Sequence, residues 1–242
     1  MGIIVNKIVL SKRLQTIADM VTAGSVVCDV GCDHAHIVID LVERGIIPGA
    51  IAMDIHTGPL ERAQEQIVTR SLSHAIETRL SDGFKSLNMG EADTIIISGI
   101  GGRLMQSILA EAPKKTASFK ELILGPQSEI PAFRGYLRRN GFRTVNEEMI
   151  LEDDKYYPIM KVIPGPIDHT ETEMTIIADC YGQILLKERH PILLMYLKRE
   201  QRITVEIIKE INNTRYLNKK SEQKLAELRK KAAELADLIM LW

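Results

Sequence analysis

The stretch from Val26 to Ala35 constrains the fold of this chain more than any other. It begins with the apolar run Val26-Val27-Cys28, passes through Asp29 and Val30, and turns at Gly31 into an apolar segment with helical character. A buried strand that ends in an acid and leads through glycine into a helix is typical of the first unit of a doubly wound α/β domain. Because amides at a helix start face outward, we expect a nucleotide-like ligand at this loop.

Length and composition limit the class of protein. The chain has 242 residues, 45% hydrophobic and 26% charged, which suits one α/β core with a smaller appended unit. No apolar run reaches the roughly 18 residues that span a bilayer, and the N-terminal sequence lacks the features of a secretory signal, so we expect a cytoplasmic protein without membrane contact. The three cysteines, at 28, 32 and 180, form no even framework and no paired metal-ligand spacing. We expect reduced thiols and no metal site.

Short apolar runs recur at the spacing of parallel strands and crossover helices. We predict further strands at 50–54, 77–80, 93–98 and 121–124, helices at 12–21, 34–43, 59–71, 103–110 and 131–140, and a closing β-hairpin made of 142–150 and 156–163. Ser11 is expected to cap the first helix, and Pro59 is expected at the first position of its helix. The pattern predicts a Rossmann-like domain whose seven-stranded sheet is mostly parallel.

Pro164-Gly165-Pro166 breaks this pattern and predicts a boundary between residues 1–165 and 166–242. Beyond it, apolar residues recur at spacings of three and four, which predicts two long helices paired as an antiparallel coiled-coil hairpin, joined by a polar turn near 214–221. The residues of the two predicted seams are Tyr196, Leu197, Ile203, Ile207 and Ile211, and then Leu225, Leu228, Ala232, Leu235, Ile239 and Trp242. The segment 186–231 contains thirteen Lys and Arg against six Asp and Glu, so a basic extension follows an acidic body.

The loop after the first strand argues for a particular ligand. A nicotinamide dinucleotide favours G-x-G-x-x-G, whereas Gly31-Cys32-Asp33-His34-Ala35 has one glycine and an acid. A carboxylate repels a pyrophosphate but is tolerated beside the positively charged methionine end of S-adenosylmethionine. The acids at three successive strand ends suit the same donor: Asp29 for its amine, Asp54 for its ribose hydroxyls, and Asp82 for its adenine amine.

These motifs together make a family resemblance specific. They are Leu10-Ser11-Lys12-Arg13-Leu14, the 29–35 loop, Asp54-Ile55-His56-x-Gly58-Pro59-Leu60, Ser81-Asp82-Gly83 and Ser98-Gly99-Ile100-Gly101-Gly102. Over 10–165 the chain resembles the bacterial tRNA (adenine-N1)-methyltransferases that modify adenine 22, and its tail is similar to their C-terminal coiled-coil extension. The resemblance implies a class I methyltransferase domain, S-adenosyl-L-methionine as cofactor and tRNA as partner. We expect a monomer or weak dimer.

The chain departs from that family after its fifth strand. The family usually has Gln-Pro-Asn or a close variant there, whereas this chain has Gly125-Pro126-Gln127, so Gln127 is the expected substitute for a base contact. There is also no Asn-Pro-Pro-Tyr motif after the fourth strand, where many amino-methyltransferases hold a target base. The glycine loop from Gly99 to Gly102 occupies that position.

The predicted site residues fall into three groups. The predicted catalytic residue is Asp33, which would stabilise the positive charge that develops on methylated adenine or accept a proton; its structural alternative is a cap on the following helix. The predicted cofactor-binding residues are Asp29, Gly31, Cys32, His34, Asp54, Ile55, Asp82, Gly83, Ser98 and Gly99. The predicted substrate-binding residues are Gly101, Gly102, Gln127, Tyr157, Arg199, Arg202, Lys219 and Lys220.

The sequence therefore predicts transfer of a methyl group from S-adenosylmethionine to N1 of adenine in tRNA, with the basic helices assisting RNA binding. Two other interpretations remain open. The chain could methylate a small molecule or protein, with the helical tail as a lid or dimerisation arm. It could also be a partner-binding coiled coil on a degenerate domain, although the acids at 29, 54 and 82 count against degeneracy.

Overall fold

An open sheet flanked by helices forms the centre of the chain. The structure is a computed structural model that describes residues 7–213 and 218–242. The strands in these ranges are β1 (Val26–Val30), β2 (Gly49–Asp54), β3 (Ile76–Leu80), β4 (Thr94–Ser98), β5 (Glu121–Gly125), β6 (Phe142–Glu152) and β7 (Lys155–Pro164). The helices are α1 (Lys12–Met20), α2 (His36–Glu43), α3 (Thr57–Thr69), α4 (Gly102–Glu111), α5 (Pro113–Thr116), α6 (Ile130–Arg139), α7 (Glu173–Tyr181), α8 (Gln183–Lys187), α9 (Pro191–Asn212) and α10 (Lys219–Ile239).

The sheet has the strand order β3-β2-β1-β4-β5-β7-β6. The first five strands run parallel, and β7 is antiparallel to both β5 and β6. The prediction of a mostly parallel seven-stranded sheet closed by a hairpin is confirmed. In the centre, Asp29 of β1 is in register with Ala52 of β2 and Ile96 of β4. The loops that leave the parallel strands therefore meet at one edge of the sheet.

The apolar runs of the sequence form the central strands, which are buried on both faces of the sheet. Val27 and Ile96 pack in the core on one face, and Cys28, Ile95 and Ile97 pack in the core on the other. All five are fully buried. A central parallel strand is covered by helices on both sides, which is why these strands read as continuous apolar runs.

The starts of α1 and α3 test two predictions that were made from local sequence signals. The Ser11 hydroxyl accepts a hydrogen bond from the Leu14 amide, at 3.4 Å, and the predicted cap of α1 is confirmed. The expectation for Pro59 is wrong by two positions, because α3 begins at Thr57 and Pro59 is its third residue. The proline still lies in the first turn, where a missing amide costs the helix no hydrogen bond.

The structure divides into two compact units later in the chain than the predicted boundary. The first ends at Ile184, and the second is Leu185–Trp242. Residues 166–184 stay with the first unit because α7 packs on α6. The buried Arg134 donates from Nε to Glu147 at 3.0 Å and from Nη1 to the carbonyls of Asp179 and Cys180, each at 3.2 Å. These bonds satisfy two of the last four carbonyls of α7.

The second unit contains the packed helices α9 and α10. Its contacts join Glu200 to Lys231 at 3.0 Å and Asn212 to Arg229 at 3.5 Å, the reversed order expected of antiparallel helices. The buried residues are Leu193, Leu197 and Thr204 of α9, and Leu225, Leu228, Leu235 and Leu238 of α10. The predicted polar turn includes 214–217, which lie outside the described residues.

The predicted seam of α9 is only partly correct. Ile207 is 37% exposed, whereas the polar Thr204 is buried. The Thr204 hydroxyl donates to the Glu200 carbonyl of its own helix at 2.7 Å, so its burial leaves no donor unsatisfied. A spacing rule that counts only apolar residues cannot detect such a position.

The cysteines and the long helices of the described residues show the following features. Cys28 and Cys32 are buried, none of the three cysteines forms a disulfide, and burial raises the pKa of the Cys28 and Cys32 thiols. In the described ranges, no three His, Cys, Asp or Glu side chains are grouped to hold a metal ion. No described helix combines the length and the apolar character needed to cross a bilayer.

Candidate functional site

A cavity of about 520 Å³ lies at the carboxyl ends of the parallel strands in the first unit. Its size falls within the roughly 300–1,000 Å³ range of small-molecule sites. All predicted cofactor-binding residues line it, together with the predicted catalytic Asp33 and the predicted base contact Gln127. They are Asp29, Gly31, Cys32, Asp33, His34, Asp54, Ile55, Asp82, Gly83, Ser98, Gly99 and Gln127.

The loop after β1 is held by the end of β2. Gly31 has a φ of +76°, a conformation that favours glycine, and this turn directs the amides of Gly31 and Cys32 to one acceptor, the carbonyl of Met53, at 2.8 and 3.0 Å. The Asp54 carboxylate extends the connection, because it accepts from the amide of Asp33 at 3.4 Å and from that of His56 at 2.9 Å. Asp54 thus fixes the loops of two adjacent strands.

Asp29 and Asp54 place two carboxyl groups beneath the cavity. Asp29 is 3% exposed and Asp54 8% exposed. Burial, and to a smaller extent the charge of Asp54, raise the pKa of Asp29 to about 7. Two buried carboxylates on adjacent strands favour a cationic group above them, because a positive charge offsets both burial and repulsion.

Asp33 lies at the mouth of the cavity in a left-handed conformation, with a φ of +50°. Its side chain is 69% exposed, and its Oδ1 lies 3.6 Å from Nε2 of His34 and 3.8 Å from Nη2 of Arg62. The alternative interpretation of Asp33 as a helix cap is wrong. The helix begins at His36 with Ala35 at its N-cap, and no side chain caps it.

The turn after β3 presents Asp82 to the same cavity. The Ser81 hydroxyl donates to the Gly83 carbonyl at 2.9 Å and accepts from the Ser86 amide at 3.0 Å, which closes the turn. Asp82 forms an ion pair with Lys85. Gly83 has a φ of +55°, a conformation that favours glycine, and a Cβ there would be in van der Waals contact with Ile108 at 3.4 Å.

The loops after β4 and β5 form the other side of the cavity. The Gln127 amide donates to the Ile100 carbonyl at 3.0 Å, which joins the two loops. A Cβ built on Gly99, whose φ is +82°, would lie 4.0 Å from Nε2 of Gln127 and 4.0 Å from Nη1 of Arg13. Gln127 therefore reaches the cavity even though it comes two positions after the end of β5.

Three predicted substrate-binding residues of the first unit lie outside the residues that line the cavity. A Cβ on Gly101 would lie 2.7 Å from Oγ of Ser128, and one on Gly102 would lie 2.7 Å from the Ser128 carbonyl. These glycines have a packing reason to be present, because α4 starts directly against the loop after β5. Tyr157 contacts the cavity indirectly, with its ring centroid 5.2 Å from the Arg13 guanidinium carbon. Substrate roles for the three residues stay predictions.

The remaining predicted substrate contacts, Arg199, Arg202, Lys219 and Lys220, are exposed residues of the second unit. Arg199 Nη1 lies 3.5 Å from Oε1 of Glu200. Arg215 of the basic stretch lies outside the described residues. Contact between these helices and RNA stays a prediction.

Sequence reasoning missed the part of the cavity that α1, α2 and α4 provide. Arg13, Leu14, His36, Ile37, Leu104 and Ile108 all line it. Burial lowers the pKa of His36, and the neighbouring His34, whose ring stacks on it at 5.3 Å, lowers it further. Arg13 belongs to the motif Leu10–Leu14 on which the family resemblance rests. That motif is the sequence signal that could have indicated Arg13 as a site residue.

Comparison with known proteins agrees with this geometry. The chain matches the methyltransferase domain family over residues 10–160. It is 32% identical to the tRNA (adenine(22)-N(1))-methyltransferase of Bacillus subtilis, over 97% of this chain and 98% of that protein.

Solved structures extend the similarity to both units. The crystal structure of the B. subtilis enzyme TrmK has a TM-score of 0.82 and 31% identity, covering 95% of this chain and 98% of that one. A candidate tRNA (m1A22) methyltransferase of Streptococcus pneumoniae, in complex with S-adenosyl-L-methionine, has a TM-score of 0.82 and 29% identity, covering 96% of this chain and 100% of that one. The chain belongs to the bacterial tRNA (adenine(22)-N(1))-methyltransferase family.

Proposed function

We propose that this protein transfers the methyl group of S-adenosylmethionine to N1 of adenine 22 in tRNA. The B. subtilis relative is named for this reaction and matches the chain over nearly its whole length. The observation that carries the proposal is the cavity in which Asp29, Asp33, Asp54 and Asp82 come together from the ends of three adjacent strands and the loops that follow them. Four carboxylates suit a cationic donor and disfavour a pyrophosphate.

The residues of the cavity fit this donor. A Cβ on Gly31 would meet no protein atom within 4 Å, so any other side chain would project into the cavity instead of into the fold. We infer that Asp54 accepts from the ribose hydroxyls, Asp82 from the adenine amine and Asp29 from the methionyl ammonium. The donor, when bound, supplies a methyl group activated by its sulfonium.

Adenine N1 carries an in-plane lone pair, so the reaction needs alignment more than removal of a proton. The methylated base is a cation, and the exposed Asp33 carboxylate at the cavity mouth is placed to stabilise the charge that develops. N1 lies on the Watson-Crick edge, so the base must be unpaired or flipped out of its stack. Gln127 is the candidate for reading the adenine, because an amide side chain can pair with adenine by donating one hydrogen bond and accepting another.

We infer further that α9 and α10 assist tRNA binding through exposed basic residues, and that the protein acts in the cytoplasm as a monomer or weak dimer. The support for the first inference is the exposure of Arg202, Lys219 and Lys220 together with the basic composition of the second unit. The support for the second is the substrate, because tRNA is a cytoplasmic molecule in bacteria.

Methylation of unmodified tRNA tests the proposal directly. Incubation with methyl-labelled donor and a tRNA transcript that carries adenine 22 should give labelled 1-methyladenosine after digestion to nucleosides, and primer extension should stop at position 22. A transcript with guanine at position 22 is the matched control and should stay unlabelled. Label in protein or small molecules, with none in tRNA, would show instead a methyltransferase with another substrate.

Replacement of Asp33 by Asn should lower kcat by about 100-fold, because it removes the negative charge that stabilises the cationic product. Affinity for S-adenosylmethionine, measured by calorimetry, should change little. The control is Asp153→Asn, an exposed left-handed residue outside the cavity. An unchanged kcat in the Asp33 variant would exclude a chemical role.

Asp29→Asn should remove the loss of stability that ionisation of Asp29 causes in the wild type as pH rises. In the folded protein without ligand, the raised pKa of Asp29 means that stability is present below the unfolded pKa of 3.8 and is lost as pH rises toward about 7. At 1.36 kcal/mol for each pKa unit, this loss is roughly 4 kcal/mol at most. The variant should therefore melt at a higher temperature than the wild type at pH 8 and bind the donor more weakly.

The wild type should also bind the donor more tightly at pH 8 than at pH 6, because ionised Asp29 accepts from the ammonium group. Calorimetry at the two pH values should show this difference reduced in Asp29→Asn. If the variant keeps the full pH dependence of donor binding, other groups such as the cavity histidines are responsible.

The combined variant Arg202→Gln and Lys219→Gln should raise the KM for tRNA by about tenfold and should reduce its dependence on salt, because each lost phosphate contact lowers the slope of log K against log salt by about 0.7–0.9. Donor affinity should not change. Lys230→Gln removes a charge from α10 outside the predicted set and serves as the control. Equal tRNA affinity in the combined variant and the wild type would refute the role of the helices.

A further inference from the structure

Arg62 of α3 lies at the mouth of the cavity, beside the predicted catalytic acid. Its Nη2 is 3.8 Å from Oδ1 of Asp33, and the two side chains are 50% and 69% exposed. The residues that line the cavity do not include Arg62. Neither the sequence nor the proposed chemistry assigns this residue a role, although it places a cation at the opening through which a substrate has to enter.

The contacts of Arg62 do not explain it as a stabilising residue. A separation of 3.8 Å is too long for a hydrogen bond, and within 7–213 and 218–242 the guanidinium donates to no protein acceptor. Nη1 would lie 3.6 Å from a Cβ on Gly58, so the guanidinium lies over the first turn of α3. That turn is the positive end of the helix dipole, where a cation lowers helix stability. The donors of Arg62 are therefore available, in a position that does not favour a cation.

The negative charge at the cavity mouth opposes the entry of RNA. The side chains of Asp33 and Asp82 are 69% and 53% exposed there. A flipped-out adenine brings its neighbouring phosphates toward the same opening, and carboxylates repel them. Among the described Lys and Arg residues, Arg62 and Lys85 are the two that form ion pairs with an acid of the cavity. Lys85 donates a hydrogen bond to Asp82, whereas the donors of Arg62 are not engaged.

The chemistry of the two proposed reactants indicates which anion Arg62 meets. S-adenosylmethionine has no phosphate, and its carboxylate is on the same carbon atom as the ammonium group that we place at Asp29, inside the cavity. A tRNA, in contrast, carries a phosphate on each side of adenine 22. A cation outside the donor cavity but next to its mouth is suited to the second reactant.

We propose that Arg62 binds a phosphate next to the adenine that is methylated. This inference rests on the proposed function, because it takes the RNA from that proposal. The planar donors of a guanidinium match two phosphate oxygens, so the contact would fix the position of the backbone as well as attract it. Arg62 is thus a substrate-binding residue of the first unit, and it favours an adenine within a polynucleotide over a free nucleoside.

A double-mutant cycle between the protein and the RNA tests the contact. Filter binding would measure the Kd of the full-length protein for tRNAs assembled by splinted ligation, with an uncharged methylphosphonate at the linkage before or after nucleotide 22. The nucleotide on the 5′ side of that linkage is 2′-deoxy in these RNAs and in matched tRNAs with an ordinary phosphate, because a neighbouring 2′-hydroxyl would cleave a methylphosphonate.

In the wild type, one of the two methylphosphonates should raise the Kd by about tenfold, and Arg62→Gln should raise the Kd of the ordinary tRNA by a similar factor. With both changes the Kd should rise no further, because the same contact is removed twice. Arg62→Lys should keep part of the affinity, since lysine retains the charge without the planar pair of donors. Affinity of Arg62→Gln for S-adenosylmethionine, measured by calorimetry, should equal that of the wild type.

Arg143→Gln is the matched control, because Arg143 is an exposed arginine at the start of β6 and does not line the cavity. It should keep both the wild-type Kd and the wild-type response to the methylphosphonate. Losses that multiply to about 100-fold in the combined experiment would overturn the inference, because they would show independent contacts. A lower kcat of Arg62→Gln with an unchanged Kd would also overturn it, and would show that Arg62 orients Asp33. A weaker affinity for the donor would assign Arg62 to the donor instead.

The binding measurement separates this inference from the proposed function, because it requires no methyl transfer. A wild type that distinguishes the methylphosphonate through Arg62 but methylates no tRNA would refute the proposed reaction alone. A wild type that methylates adenine 22 but binds both RNAs equally would refute the role of Arg62 alone.

Discussion

The carbonyl of Met53 is the acceptor on which the geometry of the cavity depends. It receives the amides of both Gly31 and Cys32, so the loop that leaves β1 is attached to the end of β2. The same arrangement recurs one strand away, where the Ser81 amide donates to the Asp54 carbonyl at 2.9 Å. Because neighbouring strands hold these loops, their polar backbone groups are satisfied without a ligand. The sheet itself therefore holds the loops that line the cavity, which limits the freedom that binding has to restrict.

The same topology concentrates like charges, and this opposes stability. Parallel strands bring Asp29 and Asp54 to adjacent strand ends, where both are almost fully buried. A fold selected for stability alone would place apolar or neutral residues there, because a buried carboxylate without a cation is costly. The acids are explained by what they bind. Local conflict with the rules of stability is expected at a functional site, and here it coincides with the cavity.

The sheet and its acids were predictable because their signals are local. A strand such as β4 is buried on both faces and reads as an apolar run, and the acids follow directly where strands end. Arg13 was not predictable as a cavity residue, because α1 precedes β1 and reaches Gly99 only after the sheet has formed. The placement of α7 was missed for a similar reason. Arg134 secures it through hydrogen bonds to carbonyl groups 45 and 46 residues away, and no periodicity encodes them.

Asp33 and Ala35 both have positive φ, +50° and +56°, although neither is glycine. Each left-handed residue costs roughly 1–2 kcal/mol relative to the ordinary conformation. Glycine at either position would remove that cost in the folded chain, but it would also widen the range of conformations open to the loop. Selection for heat resistance alone would thus favour glycine in place of Asp33 or Ala35, at the positions where the loop needs its restricted shape. In this loop, the same few dihedral angles affect thermal stability and ligand binding in opposite directions.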